Sequence, residues 1–101
     1  MDALNFSISP CTANPSRWYV YFSIKNPFNM EYVKKLMSGK DFTILADTPS
    51  VVVFRSSLYR LTWHRQGMIQ IDIYDSIGTK KDNIEQLIKH ILEDNSVDIL
   101  R

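Results

Sequence analysis

The sequence predicts an α+β fold, a two-layer sandwich in which a curved antiparallel sheet carries two helices on one face. Three observations predict it. Apolar residues alternate along 17–25 and along both arms of 58–75, the mark of half-buried strands. The apolar period changes to that of a helix in two other segments, around 28–37 and 84–92. The resulting order, β-α-β-β-β-β-α, gives two helices with one apolar stripe each, enough to cover one face of one sheet.

The elements follow in order. Leu4, Phe6 and Ile8 alternate, and two prolines in "PCTANPS" then break the pattern, so 1–16 reads as an N-terminal arm or edge strand with a loop. In "RWYVYFSIK" (17–25), Trp18, Val20, Phe22 and Ile24 share one face, and Arg17, Tyr19, Tyr21, Ser23 and Lys25 the other. Asn26-Pro27 supplies a cap and a first-turn proline. Phe28, Tyr32, Val33, Leu36 and Met37 then form the stripe of a helix that Gly39 is placed to end. "DFTILA" and "VVVFR" read as strands joined around Asp47-Thr48-Pro49-Ser50.

In "LYRLTWHRQGMIQIDIYD" (58–75) the turn decides which face is buried. A two-residue Gln66-Gly67 loop would put Tyr59, Leu61 and Trp63 beside Gln70 and Asp72, leaving both faces half apolar. A three-residue loop, Arg65-Gln66-Gly67, places glycine where a left-handed residue is favoured and pairs Trp63 with Ile69, Leu61 with Ile71 and Tyr59 with Ile73. It sets Thr62 against Gln70 and Arg60 against Asp72 on the other side. The segregating register is the expected one, with Trp63 buried against the last helix. That helix carries Ile84, Leu87, Ile88, Ile91 and Leu92 on its apolar face, with Glu85 and Lys89 four apart on the wet side. Thr79 with Asp82 resembles a capping box. "SVDILR" is a short strand or docked tail.

The chain thus reads as one domain, 1–101, with an α+β core over 17–94 and a C-terminal segment over 95–101. Counted from 17–25, the expected strand order is 1-5-4-3-2, with both helices on one side and the opposite face open.

Composition excludes more than it assigns. A net charge of +1 exerts no global pull on nucleic acid or an acidic membrane. Cys11 is the only cysteine, so neither an intrachain disulfide nor a cysteine zinc cluster is expected. No leader and no apolar run of spanning length is evident, which predicts a soluble, cytoplasmic protein without a membrane partner. His64 and His90, the only histidines, lack the spacing of a metal pair or of a base beside a nucleophile. No sequence neighbour of Cys11 is of a kind that lowers a thiol pKa. Met30, Met37 and Met68 read as core or rim fillers. No catalytic residue, metal or cofactor is expected.

The element order, with its long final helix, resembles one repeat of the TATA-box-binding protein fold over roughly residues 17–94. That family carries a Phe-x-Ser-Gly-Lys turn between its central strands; here it is Phe54-Arg55-Ser56-Ser57-Leu58, matching at Phe and Ser. The resemblance implies a saddle of two repeats and a motif phenylalanine that wedges between bases. One repeat fits this chain. A two-residue Ser56-Ser57 loop would pair Phe54 with Tyr59 and Val52 with Leu61 on the core face, whereas a three-residue loop would turn Phe54 outward beside Arg60. The inward reading is preferred. The topology is equally similar to helix-grip proteins that hold an apolar ligand between sheet and helix.

The open face should carry Arg17, Tyr19, Tyr21, Lys25, Thr43, Arg55, Arg60, Thr62, Gln70, Asp72 and Tyr74. Arg17, Tyr19, Tyr21, Arg55 and Arg60 are the candidate binding residues, tyrosines for stacking and arginines for phosphate. The plain alternative is a solvated face, because Tyr and Thr favour strands and Asp72 can neutralise Arg60. The expected function is a non-enzymatic binding module for nucleic acid or a protein partner, with homodimerisation left open. The alternative is an apolar-ligand carrier with a void lined by Trp18, Phe22, Leu61 and Ile71.

Overall fold

The computed structural model describes residues 5–74, 80–93 and 96–100. Its sheet contains β1 (Phe6–Pro10), β2 (Arg17–Phe22), β3 (Thr43–Asp47), β4 (Val51–Arg55), β5 (Tyr59–His64) and β6 (Met68–Ile73). All neighbours are antiparallel, in the order β1-β2-β6-β5-β4-β3. Counted from Arg17 this is the expected order, and β1 adds an outer strand. Helices α1 (Met30–Ser38) and α2 (Lys81–Leu92) form the second layer, and α3 (Ser96–Ile99) is a single helical turn. Among the described residues no helix is long and apolar enough to cross a membrane.

The β5–β6 hairpin has the segregating register, pairing Trp63 with Ile69, Leu61 with Ile71 and Tyr59 with Ile73. Gly67 takes φ 115°, and its N–H donates to the His64 carbonyl at 3.0 Å, closing the Arg65-Gln66-Gly67 loop. A side chain there would be doubly unwelcome: the φ is one that L-residues avoid, and a Cβ would lie 3.1 Å from the Ile24 side chain.

That register sends every second residue inward. Val20, Val52, Phe54, Leu61, Trp63, Ile69 and Ile71 are fully buried, and with Val33, Met37, Ile84 and Ile88 of the helices they form one core cluster. Phe28 seals one end, its ring edge-on to Phe22 at 5.3 Å and to Trp63 at 5.2 Å. The indole nitrogens of Trp18 and Trp63 are buried without a hydrogen-bond partner among the described residues.

Several details depart from the sequence reading. Strand β2 stops at Phe22, because the Phe22 N–H takes the Gly67 carbonyl and β6 has turned away beyond that point. Lys25 is therefore outside the sheet. Helix α1 is capped by Asn29, whose side chain accepts the Tyr32 N–H at 3.2 Å, rather than by Asn26. Phe28 accordingly precedes the helix, where its N–H donates to the Arg65 carbonyl. The residue at the N-cap of α2 is Lys80, which makes no side-chain cap bond; the expected Thr79 cap lies outside the described residues, as does Leu4.

Phe54 faces inward as expected, but it pairs with Leu61 and Val52 with Trp63, two residues further along β5 than a Ser56-Ser57 loop would set them. A shift of two preserves the face. The longer turn is held by the Ser56 hydroxyl oxygen, which accepts the Leu58 and Tyr59 amides at 3.4 and 3.2 Å. The C-terminal segment docks as helix rather than strand, burying Ile99, whose carbonyl accepts the Asn29 N–H.

The sheet edges differ. Strand β1 buries Ile8. Strand β3 is exposed throughout, with a register shift between Ile44 and Ala46, and Lys34 of α1 ties its end through Asp47 at 3.0 Å.

Candidate functional site

The face of the sheet opposite the helices can be laid out from the pairing alone. One cross-strand row runs Arg17, Asp72, Arg60, Arg55, Thr43. The next holds Ser9, Tyr19, Gln70, Thr62 and Val53. A third holds Ser7, Tyr21, Met68, His64 and Val51. On the other flank Tyr74 lies by Leu58, its N–H donating to the Leu58 carbonyl at 3.0 Å. These side chains are half-buried or exposed, as expected where no helix covers the sheet.

All five candidate residues lie on this face. The arginine row has a specific wiring. Register places Asp72 between Arg17 and Arg60, but its carboxylate is engaged elsewhere than the sequence suggests. Arg17 Nε donates to Oδ1 at 2.7 Å, and Gln70 Nε2 donates to Oδ2 at 3.0 Å. With both oxygens engaged, Arg60 has no ion pair with Asp72 among the described residues. The hydrogen bond and charge of Asp72 raise the Arg17 pKa further above its ordinary value. The Arg55 guanidinium lies 4.3 Å over the Tyr74 ring, a cation–π contact. Tyr19 and Tyr21 sit 6.3 Å apart, tilted by 34°, along the same strand face.

Sequence reasoning passed over His64 and Met68 on this face. Continuing the alternation one step past Thr62 and Gln70 finds both. His90 is exposed on α2, its Nδ1 3.1 Å from Glu93 Oε1.

Cys11 differs from its sequence reading. Its thiol is held below the ordinary value by hydrogen bonds from the Ala13 and Asn14 amides and the Tyr19 hydroxyl, helped by the Arg17 charge, with partial burial opposing. The loop return that brings these groups together is anchored by the Cys11 N–H on the Arg17 carbonyl, 2.9 Å. Local sequence holds no such signal, because two of the four groups come from β2.

Open depressions mark the surface of the described residues. One runs between Pro27, Asn29, Lys34, Pro49, Arg65 and Leu100, another between Phe6, Ile8, Lys81 and Lys89. Neither is lined by Trp18, Phe22, Leu61 or Ile71. Among the described residues no three His, Cys, Asp or Glu side chains come together as a metal site would require.

The fold defines an open-faced α+β sandwich with a basic, tyrosine-bearing sheet surface. Comparison with protein-family models, curated proteins and solved structures finds no significant match.

Proposed function

We propose that this protein is a non-enzymatic binding module that takes single-stranded nucleic acid on its open sheet face. One observation carries the reading: a cross-strand row of three arginines and one already committed carboxylate, flanked by Tyr19, Tyr21 and Tyr74 on an uncovered surface. Bases stack on tyrosines whatever their identity, and guanidinium groups supply phosphate contacts. The low net charge of the chain does not oppose this, because the positive charge is concentrated locally. Phe54 is fully buried, so wedging between bases is no part of the proposed mode. The rival proposal of an apolar-ligand carrier has less support, since Leu61 and Ile71 are fully buried within the packed core cluster.

Titration of a labelled single-stranded oligonucleotide at low and moderate salt tests the reading. Each phosphate contact adds a slope of roughly 0.7 logarithmic units to the salt dependence. Arg60→Gln should flatten that slope, while Tyr21→Ala should weaken binding with little change in it. Absence of binding at low salt would discard the nucleic-acid reading in favour of a protein partner.

A further inference from the structure

We infer that Arg55 and Arg60 form a seat for one terminal phosphate, so that the open face holds a single strand by its phosphorylated end. The inference rests on the strand-binding reading above and adds to it the group that is recognised.

Arg55 and Arg60 are direct cross-strand partners on β4 and β5, on the same face, and both are exposed. Such partners have Cα atoms about 5 Å apart, and like charges so placed disfavour the sheet. Elsewhere in the row the charge is answered: Arg17 has Asp72. The second Asp72 oxygen is occupied by Gln70, so the carboxylate nearest Arg60 is already used. Arg55 is steadied over the Tyr74 ring, which orients its guanidinium plane before any ligand arrives.

Two long arginine side chains rising from directly paired positions on one face can reach the same anion. A guanidinium fork matches phosphate oxygens in bidentate fashion, and two forks carry two positive charges. A backbone phosphodiester brings one negative charge. A terminal phosphomonoester brings about −1.5 to −2 near neutral pH, because its second pKa is about 6. As a single group, the monoester answers both arginines where a single diester answers one. Position agrees with charge. The pair stands in the last row before the Leu58–Tyr74 flank, while Tyr19 and Tyr21 occupy successive rows on the other side. A strand ending at Arg55 and Arg60 therefore runs its bases toward the two tyrosines.

The test compares one oligonucleotide sequence with a 5′-phosphate, a 3′-phosphate or hydroxyls at both ends, beside a phosphoserine peptide. One phosphorylated strand should bind about tenfold tighter than the unphosphorylated one, the scale of a charge-assisted contact. That preference should shrink between pH 7 and pH 5, as the monoester gains a proton. Arg60→Gln should remove the preference, and Tyr21→Ala should weaken all three strands alike while keeping it. Equal affinity for the three strands overturns the terminal-phosphate seat and leaves strand binding intact. Failure of every strand to bind overturns both. Tighter binding of the phosphoserine peptide assigns the arginine pair to a protein partner and also overturns the inference.

Discussion

Trp63 is fully buried, packs edge-on against Phe28 at 5.2 Å, and holds an indole N–H without a hydrogen-bond partner among the described residues. These facts pull in opposite directions when the residue is changed. An aromatic side chain buries 150–250 Å², worth roughly 4–6 kcal/mol at about 25 cal/mol per Å². Loss of the aromatic pair costs about 1 kcal/mol more. Against this, removing an unsatisfied buried donor recovers about 1–3 kcal/mol of desolvation. Trp63→Ala should therefore destabilise by about 3–5 kcal/mol, the range of large-to-small aromatic changes in cores. Trp63→Phe keeps a ring against Phe28 and loses the orphan donor, so it should cost below about 1.5 kcal/mol. Urea unfolding followed by circular dichroism and by the fluorescence of Trp18 measures both. A cost under 1 kcal/mol for Trp63→Ala would refute the core assignment and the hairpin register with it. Equal costs for Phe and Ala would show that the N–H has a partner after all.

Gly67→Ala should lose about 1–3 kcal/mol, from the φ of 115° and from the Cβ that would press on Ile24; an unchanged urea midpoint would contradict the loop geometry. Cys11 should react with iodoacetamide along a pH profile whose midpoint lies below that of an ordinary thiol, because the thiolate is the nucleophile and its hydrogen bonds persist in the fold. Tyr19→Phe should move that midpoint up, and a profile indifferent to Tyr19 would remove the hydroxyl from the account.

How much of this was legible depended on the range of the interactions involved. The β5–β6 register could be read because one glycine and two alternating arms constrain it, all within 58–75. The strand order followed from hydrophobic faces that had to share one core. The face of Phe54 came out correctly through a loop of the wrong length, since "VVVF" is apolar throughout and only parity mattered. The start of α1 is ambiguous in the sequence because Asn26-Pro27 and Asn29 both offer caps, and the choice rests on the Phe28 N–H reaching the Arg65 carbonyl. The sequence points to Arg60 as the partner of Asp72, but β5 and β2 both present an arginine to it, and the hydrogen bonds to Arg17 and Gln70 decide the competition. The surroundings of Cys11 were invisible locally, being assembled by the fold-back of β1 on β2.

The strand order also dictates a timetable. Within β3 to β6 every pairing is between consecutive strands joined by a tight turn, so those contacts are local and can form early. Strand β2 must instead find β6, and the bond from Arg17 to Asp72 joins residues 55 apart. During synthesis at about 5–20 residues per second, the apolar face of Trp18, Val20 and Phe22 emerges roughly 3–10 seconds before β6 exists, with β1 alone available to pair with β2. For that interval the edge of β2 that β6 will cover is open to pairing with neighbouring chains. The vulnerable period in the life of this protein is therefore set by the pace of translation, and strengthening the finished sheet would not shorten it.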